Sequence, residues 1–215
     1  VTTGRLGAFQ REILEAFFER APNGYYLTGG AALAGFHLGH RTTEDLDLFT
    51  PTDQLEAGVS VLRDVSRALG ATLEGLRTSP HQRRFLVRRG GEGVVVDLVF
   101  DPVPQGVEDK PAVGSIRVDP ASEILANKLG ALLQRAEPRD LVDVYALEEA
   151  GHRVEEALPL AMRKDAGLTA AQLAWVLSQV EIGEDASLPG DVPGRELRRY
   201  LEDLQARLAR LAAPE

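Results

Sequence analysis

The sequence predicts an α/β (α+β) protein: strands interleaved with helices in the N-terminal half, then a helical C-terminal domain. Three observations predict it. Apolar residues alternate at every second position in 45–49 and 94–101. They recur at helical spacing in the flanking segments 5–20 and 53–70. From Pro120 onward every apolar stripe has the helical period, which places one domain at 1–117 and a second at 118–215.

In chain order, Leu6, Phe9, Ile13, Leu14, Phe17 and Phe18 form one face of a first helix. Pro22-Asn23-Gly24 turns the chain into a short strand, 25–28, followed by Gly29 and Gly30 and a small-residue helix from Ala31 to about Gly39. A second strand covers 45–49. Pro51-Thr52-Asp53 signals a helix start, and Leu55, Val59, Leu62, Val65 and Leu69 carry its stripe to Gly70. Strands follow at 71–76, 83–89 and 94–101, the last two joined by the glycine-rich hairpin 90–93. Beyond Pro120, helices are predicted over 121–135, from Pro138, near 153–165 and 169–180, with Trp175 in the core. A Gly- and Pro-rich loop over 181–194 leads to a final leucine-striped helix, which packs on its own chain.

Composition bounds the function. With no cysteine there is neither a disulfide framework nor a thiolate metal site, which is compatible with a cytoplasmic location. No apolar run approaches the ~18 residues of a membrane span. The net charge of −9 disfavours broad nucleic-acid binding, which depends on neutralising phosphates. Five arginines, Arg77, Arg83, Arg84, Arg88 and Arg89, nevertheless cluster around one hairpin. They either guard a sheet edge or hold an RNA.

Four features point to chemistry. Gly29 and Gly30 sit where a strand becomes a helix, so phosphate oxygens can approach the amides at the helix's positive end. Asp45 and Asp47 alternate with Leu46 and Leu48, which puts both carboxylates on one strand face. Such a pair of hard oxygen ligands suits Mg²⁺. Asp97 lies within the apolar run VVVDLVF, where a carboxylate needs a partner: a metal shared with Asp45 and Asp47, or solvent at an edge strand. Lys128 falls inside the apolar stripe of its helix and must snorkel outward or meet an anion. On the next helix Asp140 and Asp143 share a face, and Asp140 has the alternative role of stabilising the helix N-terminus.

The ordered set GGAALA, HRTTEDLDLF, VVVDLVF, a lysine-bearing helix and PRDLVDVYAL resembles the AbiEii/AbiGii toxin family of nucleotidyltransferases, within the polymerase-β-like superfamily, over about residues 25–150. The resemblance implies a nucleotidyltransferase-like mixed sheet flanked by helices as the catalytic domain. A helical domain would complete the active-site cleft, with the nucleotide between them. It implies transfer of a nucleotide from an NTP to an acceptor hydroxyl, with Mg²⁺ or Mn²⁺ held by Asp45, Asp47 and Asp97. Thr28, Gly29, Gly30, Arg41, Lys128, Arg139 and Asp140 would bind the nucleotide. Asp45, Asp47, Asp97, Lys128 and Asp143 would form the catalytic set. RNA such as tRNA is the implied acceptor and a cognate antitoxin the implied partner. The alternative is a catalytically silent nucleotide-binding or protein-interaction module with the same fold.

Overall fold

The computed structural model describes residues 5–213. The chain divides into two compact units: one contains the residues up to Val103 together with Val107–Pro120, the other Pro104–Gly106 together with Ala121 onward.

The first unit is built on a five-stranded mixed sheet. Its strands are β1 (Tyr26–Thr28), β2 (Asp45–Thr50), β3 (Thr72–Ser79), β4 (Gln82–Arg89) and β5 (Glu92–Phe100), in the spatial order β1-β2-β5-β4-β3. Only β2 and β5 run parallel; the other neighbours are antiparallel. Period-2 alternation gives the sheet two chemically different faces. Leu46, Leu48, Val96, Leu98 and Val87 are buried on one of them. Helices α1 (Ala8–Phe18) and α3 (Leu55–Ala68) pack on that side, contributing Phe9, Ile13, Leu14 and Phe17 from α1 and Leu62 and Val65 from α3. The opposite face carries Asp45, Asp47 and Asp97.

The strands outrun the alternation that predicts them: β3 continues to Ser79 through a bulge, and Glu92 and Gly93 belong to β5 rather than to the hairpin turn. The glycine-led helix begins earlier than its sequence suggests. It starts as α2 (Gly29–Ala32) and continues as a π-helical turn, Leu33–His37, closed by Leu38 N donating to Leu33 O at 2.8 Å. Two short strands, β6 (Ala112–Val113) and β7 (Ile116–Arg117), are too brief to leave a periodic signal. Just after them Val118 bridges Leu27 in parallel.

The second unit comprises α4 (Ala121–Arg135), α5 (Pro138–Glu149), α6 (Val154–Lys164), α7 (Ala170–Leu177) and α8 (Gly194–Ala212). Its leucine stripes bury Leu125, Leu129, Leu132, Leu141, Leu147, Leu173, Leu197, Leu201 and Leu204. Glu148 on α5 joins these helices by accepting from Tyr200 at 2.6 Å, from Val154 N at 3.1 Å and from Arg207. Trp175 is not in the core; it is 68% exposed. The buried side of α7 is set by Ala170, Leu173 and Leu177, and a residue two positions from Leu173 faces away from that stripe.

Among the described residues, no helix is long and apolar enough to cross a membrane.

Candidate active site

The parallel pairing of β2 and β5 puts Asp47 directly opposite Asp97, with Asp45 opposite Val95. Paired residues point to the same face, so all three carboxylates share one side of the sheet. The row continues outward on both flanks. Thr28 of β1 is paired with Asp47, Arg84 of β4 with Asp97, and Arg77 of β3 with Arg84. Asp45 is oriented by Thr43, whose hydroxyl donates to Oδ1 at 2.9 Å; Thr43 is held in turn by Gln10, which donates to its carbonyl at 2.9 Å. Asp97 is buried and receives a bond from Gln82 at 2.8 Å, with Arg84 at 3.5 Å. Burial pushes the Asp97 pKa up and the nearby Asp45 charge adds to this, although Arg84 and Gln82 pull the other way.

The two glycines fit this row closely. Gly29 has φ +64, and a Cβ there would collide with Asp47 Oδ2 and lie 3.2 Å from its Cγ. At Gly30 a Cβ would lie 2.6 Å from Arg41 Nη2. Asp47 and Arg41 therefore pack directly on the glycine turn, with Arg41 itself buried and donating to Thr42 O at 3.0 Å. The Thr28 hydroxyl points elsewhere: it donates to Asp119 Oδ2 at 2.7 Å.

That Asp119 is fully buried, lies 2.8 Å from Lys110 Nζ, and through its backbone donates to Leu27 O and accepts from His37 Nε2, each at 2.8 Å. It braces β1 and the far end of the glycine-led helix at once. The roles of Asp119 and Lys110 are not legible in the sequence, because the segment 101–119 has no sustained periodicity from which to read burial, and His37, at the end of the π-helical turn, meets Asp119 only through the fold. The nearest signal is that Lys110 is one of only three lysines in the chain.

In the helical unit, Lys128 does not snorkel. Its Nζ lies 2.8 Å from Asp140 Oδ1 and 2.7 Å from Asp143 Oδ2, and both aspartates are fully buried. Asp140 also accepts two bonds from Arg135, at 2.7 and 2.9 Å. Burial alone would lower the Lys128 pKa, but the two carboxylates outweigh it and hold the amine above its usual range. Burial would likewise raise Asp140, yet Arg135 and Lys128 hold its carboxyl below the ordinary value. Arg139 stands apart from this trio, paired at the surface with Glu137 at 2.6 Å. With Lys164 2.5 Å from the buried Glu123, all three lysines sit in buried ion pairs, at side-chain exposures of 3%, 10% and 8%.

Among the described residues, no three His, Cys, Asp or Glu side chains converge into a ready metal cage. Asp45 and Asp47 alone match what Mg²⁺ asks of a protein, one or two carboxylates with the rest of the shell left to water and phosphate. The absence of a side chain at Gly29, against Asp47, leaves that carboxylate its room.

A family model described as "Nucleotidyl transferase AbiEii toxin, Type IV TA system" matches residues 12–212. Solved structures are similar as well, two from Helicobacter pylori among them. One, described as the crystal structure of JHP933 from Helicobacter pylori, is 22% identical over 94% of this chain and 91% of that one, with a TM-score of 0.55. The other, a putative nucleotidyltransferase from H. pylori, is 21% identical over 95% of each chain, also with a TM-score of 0.55. At these identities the likeness extends to the fold. No curated protein matches.

Proposed function

Since the chain belongs to the AbiEii nucleotidyl transferase toxin family of type IV toxin–antitoxin systems, we propose that it moves a nucleotide from an NTP to a hydroxyl of an RNA acceptor such as tRNA, with pyrophosphate leaving, at the aspartate row of its first unit. The observation that carries this is the arrangement of Asp45 and Asp47 on one strand face, with Asp97 in register beside Asp47.

In this reading Asp45, set by Thr43, and Asp47, seated on the glycine turn, hold Mg²⁺ or Mn²⁺, and Asp97 is the third acidic position. A divalent ion bound there would supply the positive charge that bridges the triphosphate and lowers the pKa of the acceptor hydroxyl. The amides of Gly29 and Gly30, next to Thr28, are donors for phosphate oxygens, and Arg41 adds positive charge behind them. The raised pKa of Asp97 suits it to take the proton that the acceptor hydroxyl gives up.

Lys128, Asp140 and Asp143 form a buried ion group inside the helical unit and Arg139 pairs with Glu137 at its surface, so the transfer step is assigned to the aspartate row of the first unit. A cognate antitoxin is the expected protein partner, and the NTP requirement fits a cytoplasmic location.

The test is incubation with labelled NTPs, Mg²⁺ and total RNA, comparing wild type with Asp45→Asn and Asp47→Asn. Wild type is expected to label RNA, and either variant, folded as judged by circular dichroism, to label none. Equal labelling by wild type and Asp47→Asn would remove the metal pair from the mechanism.

A further inference from the structure

The five clustered arginines are not one patch, because the sheet sorts them. Arg83 and Arg89 lie on the helix-packed face, where each has a structural partner. Arg83 pairs with Glu56 of α3 at 2.8 Å, and Arg89 pairs with Glu12 of α1 at 2.5 Å while its guanidinium lies 4.3 Å from the Phe9 ring centroid. Arg77, Arg84 and Arg88 lie on the aspartate face. Arg88 leans toward Glu74 at 4.0 Å.

Edge protection explains only part of this. The edge strand is β3, and it already carries both a bulge and the charges of Glu74 and Arg77. Arg84 is on β4, one strand inside the edge, so an edge guard gives no reason for it.

Arg84 and Arg77 instead extend the row that begins at Asp47 and Asp97. With neighbouring strands about 4.8 Å apart, Arg84 is set about 10 Å and Arg77 about 14 Å from Asp47 along the sheet. These are offsets of the backbone: the Arg84 guanidinium reaches back to 3.5 Å from Asp97 Oδ2, at the outer end of the acidic row, and Arg77 stands one strand farther out. The Arg84 side chain is 38% exposed and Arg77 is exposed, so both are open to a ligand approaching this face. In a chain of net charge −9, two guanidiniums aligned beside the acidic row give an RNA backbone a local foothold that the overall charge denies it.

We infer that Arg84 and Arg77 form a phosphodiester seat that registers a single-stranded RNA acceptor against Asp97, in the nucleotide-transfer reading given above, on which this inference rests. Arg83 and Arg89 take no part.

The experiment is the binding of a fluorescein-labelled single-stranded RNA, without NTP or divalent metal, across a series of KCl concentrations. The proteins are wild type, Arg77→Gln/Arg84→Gln, Arg83→Gln/Arg89→Gln and the single variant Arg77→Glu. Losing two single-strand phosphate contacts should flatten the slope of log affinity against log salt by about 1.4, at roughly 0.7 per contact. The Arg83/Arg89 variant should keep the wild-type slope and melt at a lower temperature. Should the Arg84 change unfold the protein, Arg77→Glu on the exposed edge strand decides the matter, with an expected flattening of about 0.7 or more. An unchanged slope in the Arg77/Arg84 variant overturns the inference. So does a loss of NTP affinity with RNA binding intact, which would hand the row to the triphosphate. Wild-type protein that binds RNA with the expected slopes yet labels nothing would overturn the transfer reading alone. Protein that labels RNA but shows no slope difference would overturn only the seat.

Discussion

Asp47 occupies the space that a side chain at residue 29 would need: Gly29 is in the left-handed region at φ +64, with the Asp47 carboxylate packed against its Cα. Gly29→Ala would therefore strain the backbone and displace that carboxylate. The strain should cost about 1–3 kcal/mol of stability, and nucleotide transfer should fall further than the melting temperature accounts for. Gly91→Ala is the control, since Gly91 has nothing within 4 Å of its would-be Cβ and an ordinary φ. Thermal melts and transfer rates on the two variants check this; equal behaviour would separate Asp47 from the glycine turn.

Lys128 is the counter-ion of two fully buried aspartates, so Lys128→Met should destabilise the helical unit by about 3–5 kcal/mol, the usual result of stranding a buried charge. Replacing Asp143 at the same time, in Lys128→Met/Asp143→Leu, should restore much of the loss, because Asp140 keeps Arg135. Urea titrations measure the coupling. A cost below about 1 kcal/mol for Lys128→Met would mean that the pair contributes little to the fold.

The same group sets a pH window. The Asp140 pKa is depressed in the folded state, so its contribution is present above the unfolded carboxylate value of about 3.9 and is lost as pH falls through the lower folded value. Lys128 is raised, so its contribution is present below about 10.4 and is lost as pH climbs through the higher folded value. Stability of the wild type should fall off outside that window. Lys128→Met/Asp140→Asn/Asp143→Leu should show flatter flanks at both ends, and parallel curves would count against the assignment.

Thr28→Val removes the hydroxyl that binds the buried Asp119 and should cost about 1.5–3 kcal/mol, the worth of a hydrogen bond to a charged group. Thr28→Ser should keep most of it. If Thr28 bound nucleotide directly through its hydroxyl, Thr28→Val would weaken NTP binding at unchanged stability, and calorimetry with a melt on the same sample distinguishes the two.

Trp175 lies on the exposed side of α7, so Trp175→Ala should change stability by less than about 0.5 kcal/mol. A larger loss would show that the indole packs after all.

What the chain reveals before folding depends on whether a residue's role is local. The alternation of Asp45 and Asp47 with two leucines is a local property, and it survives intact as one face of β2. A lysine inside a leucine stripe announces that it needs an anion, and Lys128 has two. The spacing cannot say whether that anion belongs to a substrate or to the chain itself; only the return of α5 alongside α4 settles it. The division of Arg84 and Arg88 from Arg83 and Arg89 is legible from period 2, but the face of Arg77 follows a bulge, and the partners of Arg83 and Arg89, Glu56 and Glu12, come from helices distant in sequence. Asp119 is invisible for the same reason, since its burial is created by β1 and the glycine-led helix. Trp175 shows the opposite failure: hydrophobic size suggests the core, and the helical phase set by Leu173 and Leu177 decides otherwise.

Placing every lysine in a buried ion pair leaves the folded molecule without an accessible lysine side chain, its outward positive charge being carried by arginine. Amine-acylating reagents and lysyl-specific proteases should thus find no lysine to act on until a unit opens. Modification at Lys110 then reports the opening of the sheet unit, and modification at Lys128 or Lys164 that of the helical unit, so the chain carries its own site-resolved probes of partial unfolding.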